Sequence, residues 1–188
     1  MLILHQSNSY FSVMSKLRLL RLLIVSFVFL ASCQLSPREK KAKYVFYFIG
    51  DCMGLAQVIA TEAFIVSDKG STYEPLNFRK FPYSGLSTTY AANRFITGSA
   101  AAGTALATGN KTAIGRISMD TSGTVSYESI ALKAKTRGMK AGIISSVSID
   151  HATPAAFYAH QPSRNMYFEI GLDLVSSPVD FYGGGGFK

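Results

Sequence analysis

Two strand-like stretches, the first of them a continuous apolar run, set the limits on what this chain can fold into. They are "YVFYFIG" (44–50), ending at Gly50, and "KAGIISSVSI" (140–149). The first shows no alternation between apolar and polar positions, and the second reads as another buried strand. Runs of this kind are expected of strands covered on both faces, as in parallel sheets flanked by helices. Helical patterns fall between and after them. "MGLAQVIATEAFIVSDKG" places Leu55, Val58, Ile59 and Phe64 at helical spacing with Glu62 opposite, and stops at Gly70. "VSYESIALKAKTRG" reads as an amphipathic helix with basic residues in its last turn and Gly138 as terminator, and "NMYFEIGLDLVSS" as another helix. "YSGLSTTYAA" and "VDFYGGGG" read as further strands, the latter running into a glycine loop. Strands alternating with helices predict an α/β fold: a mainly parallel central sheet flanked by helices. There is no internal repeat. In such folds, functional residues gather at the carboxyl ends of the strands.

The first third of the sequence has a different character. In "MSKLRLLRLLIVSFVFLASC" (14–33), Lys16, Arg18 and Arg21 precede an apolar run, Leu22 to Leu30, broken only by Ser26; small residues then lead to Cys33. This is the order of a secretory signal, and the run is shorter than the roughly 20 residues of a membrane-spanning helix. "LASC" resembles the bacterial lipobox, which implies cleavage before Cys33 and lipidation of its thiol. Residues 1–32 are then expected to be a signal peptide with Met14 as its natural start. Residues 33–43 form a lipidated cysteine with a basic linker, and the globular body begins at residue 44. The expected location is the bacterial cell envelope, lipid-anchored at the periplasmic or outer-membrane face. With Cys33 lipidated, Cys52 has no intrachain partner. The formal net charge of +8 sits largely in this segment, three positives in the signal and a net three in "SPREKKAK" (36–43). The remainder is close to neutral, which argues against a nucleic-acid groove and for a solvated tether beside a membrane.

Three stretches of the body carry chemistry. Asp51 follows the first apolar run directly, where a carboxylate is costly unless it binds something; a metal and a helix cap are both open. "ITGSAAAGTALATGNKT" (96–112) is built almost wholly of small residues. Its Ser99 stands at a predicted helix start, where backbone N–H groups and the helix dipole attract anions; a serine N-cap is the simpler reading of the same position. Small residues let such a helix lie close against its neighbours. The stretch is not a P-loop, because Thr104 follows Gly103 where lysine is required. Nor is it a hydrolase elbow, because Thr97 and Ala101 stand where glycines are required. In "SIDHATPAAFYAHQPSRNMY" (148–167), Asp150, His151 and Thr153 gather at a predicted strand end, with His160 and Arg164 beyond. Asp, His and Thr offer metal-ligating oxygens and nitrogen, and Arg164 offers a planar fork for phosphate.

"YFIGDCMG", "ITGSAAAGTALATGNKT", "IDHATPAAFYAHQPSR" and the closing "GGGG" resemble, in order and spacing, the alkaline phosphatase family. The resemblance runs from Tyr44 to Lys188 and implies that residues 44–188 are the N-terminal portion of such a domain. It implies phosphate monoester hydrolysis through a phosphoserine intermediate, with two zinc ions and one magnesium, and a homodimer at full length. On the matching positions, Asp51 is implied to bridge a zinc and the magnesium, Ser99 to be the nucleophile, Thr153 to bind magnesium and Arg164 to grip the phosphate. His151 matches a position near magnesium, and His160 a recurrent histidine of structural character. Metals and a forked arginine suit in-line displacement at phosphorus, because they offset charge on the attacking, leaving and equatorial oxygens.

The sequence departs from the pattern in three places. Gly98 stands where many relatives carry an aspartate that orients the arginine, so a more mobile Arg164 is expected. Cys52 replaces a usual glycine and is expected to strain its turn or to offer zinc a stray thiolate. The family's remaining ligands, acidic residues and histidines, have no counterpart here, and the body holds only His151 and His160. Little activity is therefore expected of this chain alone. A related metal-dependent phosphodiesterase or sulfatase, and a non-catalytic lipoprotein remnant, are the alternatives.

Overall fold

The computed structural model describes residues 42–70 and 72–188, together with residues 14, 16–18, 20 and 21. The signal-like run, Cys33 and most of the basic linker lie outside the described residues. Residues 1–48 and 49–188 form two separate compact units. In the first, the described residues between 14 and 21 are helical, and Tyr44, Val45, Phe46 and Phe48 are exposed. The strand expected over 44–50 is therefore not formed. An apolar run becomes a buried strand only where neighbours pair with its edges and cover its faces, and no described strand pairs with it.

The second unit is α/β. Its elements in order are α1 (Leu55–Lys69), a 3₁₀ turn (Asn77–Lys80), α2 (Ser99–Thr108), α3 (Ile130–Thr136), β1 (Gly142–Ile144), α4 (Ala152–Ala155), α5 (Tyr167–Ser176) and β2 (Phe181–Gly183). β1 and β2 pair in parallel, with Gly142 opposite Phe181, Ile143 opposite Tyr182 and Ile144 opposite Gly183. α4 and α5 form the crossover, so the expected parallel sheet is present as one βαβ unit. The expected strand at 83–92 is reduced to an isolated bridge between Ala91 and Arg94.

The core is drawn from residues 100–179: Ala100, Ala107, Ile117, Ile143, Ile149, Ile170 and Val179 pack around the run Ala152 and Ala155–Ala159. α2 answers the question raised by its composition. A Cβ on Gly103 would lie 3.3 Å from the Ala156 Cβ and 3.4 Å from the Thr153 Cα. The helix therefore presses against α4 at a distance that only its small side chains permit. Polar groups lock the contact. The Thr104 hydroxyl, fully buried, accepts from the Ser118 N–H at 2.8 Å, and the Ser118 hydroxyl donates to the Ala156 carbonyl. The Ser129 hydroxyl caps α3 and donates to the Phe157 carbonyl. Tyr158 donates to the Ile149 carbonyl at 2.7 Å and meets Tyr182 edge-on at 5.3 Å. Burial raises its pKa.

α1 buries Val58 as expected but departs from the rest of its expected face. Leu55, Ile59 and Phe64 are exposed, whereas Glu62 is 3% exposed. Its carboxylate accepts from the Leu76 N–H at 2.9 Å, the Tyr73 hydroxyl at 3.1 Å and the Arg79 guanidinium. A buried carboxylate is tolerable when its acceptors are filled in this way. The Leu76 N–H is the leading cause that holds its pKa below the ordinary glutamate range.

Candidate active site

The site lies where the segment following β1 turns into α4. His151 is the N-cap of that helix, with extended backbone (φ −64°, ψ 150°), and Thr153 stands in its first turn. Asp51 comes from the turn before α1. Its Oδ2 accepts a hydrogen bond from the Thr153 hydroxyl at 3.1 Å, across 102 residues of sequence. Two oxygens from distant motifs are thus brought side by side.

Arg164 is set by a second pairing. Ile117 and Gln161 exchange backbone hydrogen bonds at 3.0 and 3.1 Å, and the Arg164 N–H donates to the Gly115 carbonyl at 2.7 Å. Gly115 adopts φ +83°, a conformation that favours glycine. This short antiparallel contact fixes the arginine backbone. Its Nη2 lies 2.9 Å from His151 Nε2. A guanidinium can only donate, so Nε2 accepts and the ring proton resides on Nδ1. Burial, then the Arg164 charge, lowers the His151 pKa. Arg164, expected to be more mobile for want of an aspartate at position 98, has a side-chain partner in His151.

Ser99 opens α2 and is half-buried. It lies one turn before Gly103, hence on the helix face pressed against Thr153. Gly98 is its N-cap at φ −130° and offers no side-chain cap, which leaves the first-turn N–H groups without a side-chain acceptor. His160 stands apart from this group. Its Nε2 meets the Tyr127 carbonyl at 3.0 Å and its N–H donates to Asp173 at 2.9 Å, the structural character expected of it. Cys52 is free and exposed at φ +59°, with its thiol 3.6 Å from Asp51 Oδ1. Its strained turn is the one its replacement of glycine implied.

Sequence reasoning passed over Asp150 as more than a member of the cluster. It is 1% exposed, and its Oδ2 accepts the Lys188 N–H at 2.9 Å. The signal available was its place, directly before His151 and facing a glycine run.

The donors can be weighed against the metals. Asp51 and Thr153 are hard oxygen donors, and together they suit part of a magnesium shell. Among the described residues, no three His, Cys, Asp or Glu side chains gather into a metal-holding group. A zinc centre, built on nitrogen, sulfur and carboxylate ligands, does not fit this set.

The α/β unit thus carries a small-residue helix that opens on a serine, an oxygen pair beside the start of α4 and an arginine hydrogen-bonded to a histidine. The alkaline phosphatase family model matches residues 42–176, and the chain belongs to that family. It is 31% identical over 153 residues to alkaline phosphatase 4 of Drosophila melanogaster, covering 77% of this chain and 25% of that protein. The crystal structure of the cold-active alkaline phosphatase of a psychrophilic Shewanella matches with a TM-score of 0.66 at 36% identity, over 71% of this chain and 33% of that one. A mutant TAB5 alkaline phosphatase with magnesium bound in its M3 site matches at 0.58 and 34%, over 65% of this chain and 35% of that one. The chain thus spans about a quarter to a third of the length of these relatives.

Proposed function

We propose that these residues form the nucleophile and phosphate-gripping part of a metal-dependent phosphate monoesterase. The reading rests above all on the convergence of Asp51 with Thr153 and of Arg164 with His151, beside the helix face that carries Ser99. Family membership supports phosphate monoester hydrolysis in general.

In this reading the phosphoryl group of a monoester meets the first-turn N–H groups of α2 and two donors of Arg164. The Ser99 Oγ attacks phosphorus in line, the ester oxygen leaves with its alcohol, and water then cleaves the Oγ–phosphorus bond to restore the serine. A divalent cation supplies charge neutralisation and favours the deprotonated hydroxyl when bound. Asp51 and Thr153 would hold a magnesium ion. Two zinc ions belong to the reading by kinship, and their ligands are not in the described set. A stretch with these donors alone is expected to bind phosphate and turn over little, which keeps a non-catalytic binding role as the second reading. Cys33 as a lipid anchor at the cell envelope, and a homodimer at full length, complete the proposal.

The test is calorimetric titration of the chain with inorganic phosphate, followed by acid quench with labelled phosphate and peptide mapping. Arg164→Ala should weaken phosphate binding roughly tenfold to a hundredfold, the cost of losing a charge-assisted pair. Ser99→Ala should leave binding nearly unchanged and abolish the label. Label on another residue, or an Arg164→Ala chain that binds as wild type, would end the proposal.

A further inference from the structure

Resting on that reading, we propose that Asp150 is a positioning residue: its buried carboxylate clips the closing glycine segment to the turn that carries His151 and Thr153, and so holds the Asp51–Thr153 oxygen pair. Three backbone hydrogen bonds run between the two stretches, each of 2.9 Å: Ser145 N–H to the Gly183 carbonyl, Gly185 N–H to Val147, and Ile149 N–H to Gly186. The contact is close. A Cβ on Gly184 would lie 3.1 Å from the Val147 oxygen and 3.2 Å from the Ile149 nitrogen. Asp150 extends this zipper by one rung through its side chain, with Oδ2 accepting the Lys188 N–H at 2.9 Å.

That rung lies directly before the site, beside the His151 N–H bond to the Ser148 carbonyl at 3.0 Å. Asp150 Oδ1 and His151 Nδ1 are both buried without partners among the described residues. The Asp150 carboxylate is therefore anchored by Lys188 alone, and the next two residues begin α4 with Thr153 in its first turn. If the clip opens, the N-cap of α4 loses its bracing from behind. Thr153 then meets Asp51 in more than one geometry. Groups that orient metal ligands from behind typically change metal affinity by about 10–100-fold when removed.

Magnesium chloride titrated into the full chain by calorimetry is the probe, with amide exchange at Lys188 and the urea midpoint measured alongside. Asp150→Ala and Gly184→Ala should each weaken magnesium binding about tenfold, and the double variant no further, because both open one contact. Asp150→Asn keeps an acceptor for the Lys188 N–H and should restore protection there, with affinity within about threefold of wild type. A purely structural role would shift the urea midpoint and leave magnesium affinity of the folded chain unchanged; that result overturns the proposal. Should Asp150→Ala fail to fold, Gly184→Ala and Asp150→Asn decide alone. Wild type that binds magnesium while every variant matches it sinks the clip only. Wild type that binds none sinks the metal reading and the clip with it.

Discussion

Helices α1 and α2 have opposite compositions and opposite fates. α1 is 15 residues long and carries Leu55, Ile59 and Phe64, yet it buries only Val58 and Glu62. α2 is 10 residues of mostly Ala, Gly and Thr, yet Ala100, Ala101, Gly103, Thr104 and Ala107 are buried. Side-chain hydrophobicity does not rank them. What separates them is whether a partner can come close. α2 has α4 against it at van der Waals distance, where dispersion contacts accumulate. α1 holds its neighbours through the Glu62 carboxylate and little apolar surface beyond Val58. Proximity of backbone thus seats α2, which begins at Ser99, directly against the helix that carries Thr153.

The sharpest way to break this contrast is to separate α2 from α4. Gly103→Val places branched carbons where the Ala156 Cβ and Thr153 Cα already stand. Overpacking of a tight core costs about 1–3 kcal/mol, and the obstacle here is partly backbone, so a loss of about 3 kcal/mol is expected in urea unfolding. The same variant should weaken phosphate binding. Wild-type stability would show that the helices do not pack this closely.

The corresponding lever on α1 is Glu62. Its pKa is lowered, chiefly by the Leu76 N–H, with the Tyr73 hydroxyl and Arg79 contributing. A depressed carboxylate contributes stability that is fully present above its unfolded-state value and lost as pH falls through the lower folded value. Protection of the Leu76 amide from exchange should therefore persist at neutral pH and disappear in acid, at a pH below the ordinary glutamate range. Glu62→Gln should remove the pH dependence and much of the protection together. Protection that is independent of pH would mean that the carboxylate is not what holds the 3₁₀ turn.

The candidate site residues could be picked out in sequence because they sit in short motifs whose chemistry is local. Asp51, Ser99, Thr153 and Arg164 were marked as candidates from three short stretches and from the family those stretches resemble. Their pairing was not legible, since Asp51 meets Thr153 only through the fold. Nor was the contact of Arg164 with His151, because a missing aspartate at Gly98 is visible in sequence and a partner met through the fold is not. The fold was legible as alternation: α1, α2, α3, α5, β1 and β2 all fall within expected segments. The runs at 44–50 and 83–92 were misread because strand formation depends on neighbours, which local pattern does not carry. Glu62 was misread because periodicity counts apolar positions and cannot see a cage of donors 11 to 17 residues away.

A smaller effect is expected at Cys52, at the entrance to α1. A non-glycine residue at φ +59° carries a conformational cost of about 1 kcal/mol or slightly more. Cys52→Gly removes the Cβ and also loosens the unfolded chain, which offsets part of the gain. A net stabilisation of roughly 0.5 kcal/mol is expected. Destabilisation instead would indicate that the thiol contact with Asp51 matters more than the strain.

The smallest effect should come from the exposed face of α1 itself. Ile59 and Phe64 are 61% and 68% exposed. Replacing either with serine removes little area from contact with other atoms, and serine, isoleucine and phenylalanine have similar helix propensities. Ile59→Ser and Phe64→Ser should therefore change stability by no more than about 0.5 kcal/mol, the range typical of surface positions. Solubility should rise, because two large apolar side chains leave the surface. The pair also tests the comparison from its other end. If either variant costs more than about 1.5 kcal/mol, as a buried aliphatic or aromatic side chain would, then this face is covered in solution. The periodicity of Leu55, Ile59 and Phe64 would then have named the buried side of α1 after all, with Glu62 caged on the flank of a helix packed on both sides.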